Sequence, residues 1–178
     1  MIKRYMHNRE RYFAMLNDDR VVHEFDWGTE FIHDHPNGDD PRKLFREYSK
    51  NVLANSDEFF FSAEVRDFEL NGDQLTWTSG IVTPSVENNT AYAAYFPHET
   101  NRRSAVLVLP HWNAKAGTYF DLCGFFNKVG ISSLRLTLPY HEERMPPELN
   151  RADYLVAPSV GRTLQSLRQS VVDTRSAV

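Results

Sequence analysis

The sequence has little cysteine, little glycine and no long apolar run. Its 178 residues include one Cys and 8 Gly. A single cysteine cannot form an internal disulfide, and so few glycines exclude a collagen-like chain. No apolar stretch reaches the roughly 18 residues of a membrane span, and none follows the basic N-terminus as in a signal peptide. We therefore expect a protein of the reducing cytoplasm, without a membrane partner.

The sequence also lacks an excess of basic residues. Its 20 Lys and Arg are outnumbered by 24 Asp and Glu, which gives a formal net charge of -4. Without a basic stripe to neutralise a phosphate backbone, nucleic acid is not an expected partner. Hydrophobic residues make up 41% of the chain and charged residues 25%, which are the proportions of an ordinary globular protein.

The first third of the chain has the pattern of helices. Asp40 and Pro41 suit the N-cap and first position of a helix whose apolar residues recur at helical spacing. A shorter helix is predicted over residues 8–17. We therefore expect residues 1–56 to form a helical N-terminal extension, followed by a single continuous unit over residues 57–178.

The pattern then changes to that of strands. Phe59–Val65 is aromatic and β-prone, and the segments on either side of Asn71-Gly72 predict a hairpin. Ala91–Phe96 and Ser104–Leu109 are predicted to pair as antiparallel strands because only a short polar loop joins them.

The last part of the chain reads as alternating strands and helices. The apolar run at residues 105–109 is typical of a strand buried on both faces of a parallel sheet. A helix is predicted over Thr118–Val129 with Gly130 as its stop, then a strand over Ile131–Leu138 and a helix over Ser159–Thr174. The predicted fold class is α/β, with antiparallel strands leading into a parallel βαβα sheet.

Four segments carry a family resemblance. Ala105–Gly117 and Ser132–His141 resemble the third and fourth strands of an α/β-hydrolase with the loops that follow them. Phe25–Gly28 and the run from Leu138 to Pro146 are similar, more narrowly, to a bacterial branch of abhydrolase-domain proteins. The resemblance implies a partial α/β-hydrolase fold, the N-terminal portion of a serine hydrolase. Such an enzyme transfers the acyl group of an ester, thioester or amide to water and needs no cofactor.

The resemblance also implies the site residues. In this family the loop after the third strand carries the oxyanion hole, so the backbone N–H of Trp112 or Asn113 is the implied donor. His111, Tyr140 and His141 follow the same two strands and are implied to bind a small acyl substrate, because ligands of open α/β sheets lie beyond the carboxyl ends of parallel strands. The sequence departs from the family at Trp112, which replaces the glycine of the His-Gly loop.

The catalytic triad of the family is not found in this sequence. No Ser has Gly at both the second position before it and the second after it, as the nucleophile elbow Gly-x-Ser-x-Gly requires. The nearest match runs from Ala157 to Gly161. We interpret its Ser159 as the start of a helix, with a nucleophile as the alternative. The chain alone is therefore expected to be inactive and truncated before the elbow, with nucleophile, acid and base beyond Val178.

Two other functions stay open. The missing triad and a length typical of one domain also fit a complete non-catalytic α/β domain that binds a ligand or a protein. His33-Asp34-His35 invites a metal hypothesis, with His23, His98 and His111 as further donors. A His-x-His pair needs more ligands, however, and the Pro36–Asp39 segment indicates a surface turn, so no metal is expected.

Two buried positions are predicted without a catalytic role. Cys123 lies on the apolar face of its helix and is expected to be a small core residue. Arg135 interrupts an otherwise apolar strand. It is expected either to reach water at an edge or to pair with a buried acid that the sequence does not identify.

Overall fold

A five-stranded mixed sheet organises the chain. The computed structural model describes residues 2–15, 23–32, 40–99 and 104–178. The strands are β1 (Glu69–Asn71), β2 (Gln74–Thr78), β3 (Thr90–Phe96), β4 (Ala105–Val108) and β5 (Ser132–Leu136). They lie in the order β1-β2-β3-β5-β4, with β4 and β5 parallel and the other neighbouring pairs antiparallel. The predicted α/β class is confirmed at this level.

Helices occupy the described residues before, between and after the strands. They are α1 (Ile2–Met15), α2 (Pro41–Ala54), α3 (Ser56–Phe59), α4 (Phe120–Lys128) and α5 (Val160–Ser176), with short 3-10 turns at Thr29–Phe31, Val86–Asn89 and Glu142–Arg144. α2 begins as predicted, because the Asp40 carboxylate accepts a hydrogen bond from the Arg42 amide and Pro41 follows the cap. α1 begins six residues before the predicted start at Asn8. None of these helices combines the length and apolarity that crossing a membrane requires.

The β1–β2 hairpin is confirmed, but the strand predicted over Phe59–Val65 is wrong. Phe59 ends α3, and residues 60–68 run to β1 without regular structure. Two arginines of α5 bond the first two residues of the predicted strand. Arg168 Nε donates to the carbonyl of Phe59, and Arg175 Nη1 donates to the carbonyl of Phe60, each at 2.7 Å. Each guanidinium also lies over the ring of the phenylalanine that it bonds, so side chains of another element satisfy backbone groups that a strand would pair.

The predicted antiparallel pair of Ala91–Phe96 with Ser104–Leu109 is also wrong. Both strands exist as β3 and β4, but β5 lies between them. β5 has Ser133, Arg135 and Leu136 buried, whereas β4 is mostly half-exposed. The strand that buries both faces takes the interior position, and β4 takes the edge.

Helices cover both faces of the sheet. On one face the Ser133 hydroxyl donates to the carbonyl of Cys123 in α4, at 3.4 Å. Leu136 points the opposite way, because side chains alternate along a strand, and packs with Trp77 in the main hydrophobic cluster. Ala177, directly after α5, packs against that cluster. Cys123 is fully buried and unpaired, as predicted for a core residue.

Arg135 pairs with a partly buried acid, Glu142, which agrees with one of the two alternatives predicted for it. Its Nη1 lies 2.7 Å from Oε1 of Glu142, and its side chain is 1% exposed. Its Nε donates to the carbonyl of Thr118, and its guanidinium lies over the ring of Phe120. Burial raises the pKa of Glu142, while Arg135 acts in the opposite direction on the same carboxyl. The pair fixes the segment after β5 to the face that α4 covers.

A second buried ion pair joins α5 to the segment after β5. Nη2 of Arg144 lies 2.8 Å from Oδ2 of Asp173, and neither side chain is exposed. Asp173 Oδ1 accepts a hydrogen bond from the Ser79 hydroxyl at 2.7 Å. Burial lowers the pKa of Arg144, and Asp173 counteracts that effect. Because isolated buried charges are costly, each partner requires the other.

Asn88 and Gln169 extend this pair into a buried polar network. Asn88 Nδ2 donates to Gln169 Oε1 at 2.8 Å. The main-chain carbonyl of Asn88 accepts from Arg144 Nη2, also at 2.8 Å. Gln169 Nε2 donates to the Ser79 hydroxyl at 2.9 Å. Asn88 Oδ1 accepts from the amide of Tyr140 at 3.0 Å. The network therefore ties α5, the turn before β3 and the segment after β5 to one another.

Removing one member of the Arg144–Asp173 pair should be costly. We expect Asp173→Ala to lower the free energy of unfolding by about 3–5 kcal/mol, because it leaves a buried guanidinium without its counter-charge. Glu64→Ala is the matched control, since the Arg66–Glu64 pair is 2.9 Å apart but exposed; it should change stability by less than about 1 kcal/mol. Urea unfolding followed by tryptophan fluorescence measures both, and similar losses for the two variants would contradict the assignment.

Candidate functional site

Two segments meet at the carboxyl ends of the parallel strands. β4 ends at Val108 and β5 at Leu136, and because the two strands run in the same direction, the segments that follow leave from the same edge of the sheet. The structure joins these segments directly. The backbone N–H of Asn113 donates to Nε2 of His141 at 2.9 Å. The structure thus brings together Asn113 and His141, two of the five predicted site residues.

The partners of His141 assign its protonation state. Nδ1 lies 2.9 Å from the carbonyl oxygen of Pro139, so it carries the proton, while Nε2 accepts from Asn113. Only a neutral imidazole protonated on Nδ1 satisfies both contacts. The ring is 2% exposed, and this burial lowers the pKa of His141. The hydrogen bond to the Pro139 carbonyl acts in the opposite direction, while Arg135 and Arg144 add to the effect of burial. We therefore expect a neutral His141 at neutral pH.

Ala152 anchors the other side of the segment after β4. Its carbonyl accepts from Trp112 Nε1 at 2.9 Å, and its amide donates to Oδ1 of Asn113 at 3.1 Å. The guanidinium of Arg151 lies over the Trp112 ring, 5.5 Å from its centroid. Asn113 has a left-handed backbone with φ 61°, a conformation that asparagine tolerates better than most residues. The sequence named Trp112 and Asn113 but gave no sign of this anchor, which lies about 40 positions downstream.

The two implied oxyanion donors differ in availability. The amide of Asn113 is already used by His141, so a substrate oxygen would have to replace that ring nitrogen. Within the described part of the chain, the amide of Trp112 donates to no acceptor. Trp112 itself is 40% exposed, so the segment is accessible from solvent. The oxyanion role of either amide stays a prediction.

The three residues implied in substrate binding occupy different environments. His111 is exposed, and its Nδ1 lies 3.1 Å from the hydroxyl of Tyr119. Tyr140 is 1% exposed and packs edge-on against the ring of Tyr154, and its burial raises its pKa. His141 is equally buried. As the structure stands, His111 can be reached by a ligand, whereas Tyr140 and His141 brace the segments. Direct substrate contact by any of the three stays a prediction.

Ser159 lies at the start of a helix, as interpreted from the sequence. It is the N-cap residue of α5, although its hydroxyl makes no cap hydrogen bond. The Thr163 hydroxyl contacts both the amide and the carbonyl of Ala157 instead. Residues 154–157 form turns and not a strand, so the strand-to-helix turn that a nucleophile elbow requires is missing here. Ser159 is 8% exposed and lines a cavity beside the helix start, so the missing turn, and not its burial, is the observation against a nucleophile.

The glycine two residues after Ser159 has a packing reason. The amides of Val160 and Gly161 donate to the carbonyls of Asp26 and Trp27, at 3.1 and 2.9 Å. A β-carbon on Gly161 would lie 1.8 Å from the carbonyl oxygen of Gly28. The first amides of α5 are therefore capped by a distant backbone segment, which glycine alone allows to approach so closely.

A cavity of about 410 Å³ lies beside the start of α5. Its lining combines apolar and charged side chains, among them His23, Asp26, Glu148, Leu149, Tyr154 and Arg162. The Arg162 guanidinium lies between two rings, 3.8 Å from the centroid of Tyr154 and 4.7 Å from that of Phe31. Sequence reasoning missed this cavity, because its walls come from three separate segments that share no motif.

Neither a metal site nor a similar known protein gives further information on the function of this site. Over residues 2–15, 23–32, 40–99 and 104–178, no three His, Cys, Asp or Glu side chains are placed to hold a metal ion. His33, Asp34 and His35 lie outside the described residues. No family model matches the chain, and no curated protein matches it either. What the site offers chemically is the backbone N–H of Trp112, which has no acceptor among the described residues, near the carboxyl ends of the parallel strands.

The close approach at Gly161 predicts a contrast between two helical glycines. Gly161→Ala should destabilise the fold severely, because the added β-carbon meets backbone and not a flexible side chain. Gly124→Ala in α4 is the matched control, since nothing lies within 4 Å of its β-carbon position; it should stabilise by up to about 1 kcal/mol. Thermal and urea unfolding measure both effects. A tolerated Gly161→Ala would mean that Asp26-Trp27 does not pair with α5.

The environment of His141 predicts a loss of stability in acid. Its pKa is lower in the folded protein than in the unfolded chain, so between these two values the unfolded state binds more protons. Its stabilising contribution is complete above the unfolded pKa of about 6.5 and is lost as the pH falls toward the folded pKa. We expect the melting temperature to fall more between about pH 7.5 and 5.5 in the wild type than in His141→Gln. Equal falls would contradict the burial of a neutral His141.

Proposed function

We propose that this chain is the N-terminal portion of a serine hydrolase of the α/β-hydrolase superfamily, which carries the oxyanion loop but not the catalytic triad. One observation supports this most. Two parallel neighbouring strands place the 109–117 and 137–141 segments at one sheet edge, where the Trp112 amide has no acceptor among the described residues. Backbone N–H groups held in this way stabilise the oxyanion of acyl transfer.

The proposed chemistry assigns this chain the electrostatic part of the reaction. A serine from a further segment attacks the carbonyl carbon of an ester, thioester or amide, and the carbonyl oxygen becomes the oxyanion. The tetrahedral intermediate collapses to an acyl-enzyme, and the leaving alcohol, thiol or amine takes up the proton that the serine hydroxyl gave up. Water then cleaves the acyl-enzyme, which releases the carboxylic acid and returns a proton to the serine. One oxyanion donor typically contributes about 3–4 kcal/mol to this sequence, and no cofactor takes part.

The outer side of β4, unpaired among the described residues, supports the proposal that a further segment supplies the serine. β4 pairs with β5 on one side, and on its other side no described strand pairs with it. A free parallel edge presents unpaired N–H and C=O groups that another strand can complete. A parallel strand added there would have its carboxyl end beside those of β4 and β5, next to the 109–117 segment. The buried, unpaired Cys123 agrees with the cytoplasm as the expected compartment.

A second candidate function is a non-catalytic α/β domain that binds a ligand or protein. The cavity beside α5 favours it, because about 410 Å³ lies within the usual range of small-molecule sites. Arg162 is held there between two rings, which fixes the orientation of a planar hydrogen-bond donor. This candidate needs neither a nucleophile nor a further strand.

A serine-reactive fluorophosphonate probe separates the two candidates. The chain itself should remain unlabelled, because it has no nucleophile elbow. The product of the complete reading frame should be labelled at a serine outside residues 1–178. Stoichiometric labelling of Ser159 in this chain would contradict the assignment of that residue as a helix start. A complete product without any probe-reactive serine would favour the binding domain.

The oligomeric behaviour of the chain provides an independent test. If a further strand normally completes the β4 edge, the isolated chain should self-associate through that edge, as unpaired strands do. A self-sufficient binding domain should instead be monodisperse and melt cooperatively. Sedimentation velocity and calorimetry on the purified chain distinguish these outcomes, and a monodisperse, cooperative chain would count against the hydrolase proposal.

A further inference from the structure

His141 links the two segments at the carboxyl ends of β4 and β5 through both of its ring nitrogens. Nε2 accepts from the Asn113 amide in the segment after β4, and Nδ1 donates to the Pro139 carbonyl in its own segment, each at 2.9 Å. The ring is buried, so water does not readily replace either partner. We propose that His141 is a proton-sensitive latch that holds the Asn113 amide only while its ring is neutral.

Hydrogen-bond geometry gives the latch its sensitivity. When a proton from solvent binds Nε2, that nitrogen becomes a donor and faces the N–H of Asn113, which is also a donor. The two groups can then no longer bond, and the segments separate or admit an acceptor between them. The contact between Nδ1 and the Pro139 carbonyl survives, because Nδ1 carries a proton in both states.

The charges around His141 place the opening on the acidic side. Arg135 from β5 and Arg144 from the turn after it both oppose protonation, as does His111 from the segment after β4. Each arginine has its own carboxylate partner, in Glu142 and Asp173 respectively. Neither of these carboxylates hydrogen-bonds to the ring, since its two nitrogens are taken by Pro139 and Asn113.

Opening the latch exposes two N–H donors at one point. The amide of Asn113 and the protonated Nε2 of His141 would then both be available to a single oxygen of a carboxylate or carbonyl. Only this consequence rests on the proposed function, since it makes the Asn113 amide available as an oxyanion donor. The latch itself rests on the two hydrogen bonds of the ring, so it can be tested without any activity.

Two substitutions of His141 separate its two hydrogen bonds. His141→Gln places an amide oxygen near the position of Nε2, so it retains an acceptor for Asn113 but does not titrate. His141→Asn places an amide nitrogen near the position of Nδ1, so it retains the bond to Pro139 and loses the bond to Asn113. His111→Gln is the control, because it removes an exposed histidine from the neighbouring segment.

Amide hydrogen exchange of ¹⁵N-labelled chain, followed by NMR, tests the latch. In the wild type, the protection factor of the Asn113 amide should fall by about tenfold or more as His141 becomes protonated. In His141→Gln it should stay high at every pH, in His141→Asn it should stay low, and in His111→Gln it should follow the wild type. A merely structural role of His141 would not give these opposite responses to pH.

The wild-type chain alone keeps the proposal testable if a variant does not fold. At neutral pH, the imidazole nitrogen shifts should report a protonated Nδ1 and an unprotonated Nε2, and a scalar coupling should connect the amide nitrogen of Asn113 to Nε2 of His141. On acidification the Nε2 shift should change to that of a protonated nitrogen, and the coupling should disappear over the same pH range. Wild-type Asn113 protection that stays constant while His141 titrates would overturn the proposal, as would equal protection in the Gln and Asn variants.

Discussion

The buried ion pair between Arg144 and Asp173 is the constraint on which the site depends. It joins α5 to the segment after β5, and the Asn88 carbonyl accepts from the same guanidinium. Asn88 also holds the amide of Tyr140, the residue directly before His141. The buried Arg144–Asp173 pair and Asn88 therefore position His141, which in turn bonds Asn113. None of these buried groups can lose its partner without a large desolvation penalty. The segments after β4 and β5 are thus held in place by buried polar groups that each require a hydrogen-bond partner.

The predictions that proved correct depend on neighbours in the sequence. The Asp40–Pro41 helix start, the Asn71-Gly72 hairpin and the stop at Gly130 each follow from the local backbone chemistry of a few residues. One of the two alternatives predicted for Arg135 was found, because a charge inside an apolar strand has few acceptable environments. The mixed α/β class followed from the order of such elements, while the relation to α/β-hydrolases is carried by loops and strand order and stays a proposal.

The predictions that failed required information from distant residues. The sequence could not show that β5 separates β3 from β4, because strand order depends on which strand buries both faces. It placed a strand at Phe59–Val65, where arginines about 110 positions away satisfy the backbone. At the site it named Asn113 and His141 without their mutual bond, and it gave no sign of Ala152. Each missing piece is a contact between segments that share no motif.

The crossing of Gly28 and Gly161 has a consequence for how such sequences are interpreted. The pairing there uses only main-chain atoms, so the side chains of Asp26 and Val160 are free to vary while both glycines are not. Homologues should therefore retain both glycines for steric reasons. A pattern search would interpret Gly161, two residues after Ser159, as part of a catalytic elbow. In this fold, Gly161 reports the distance between two backbones and carries no information about a nucleophile.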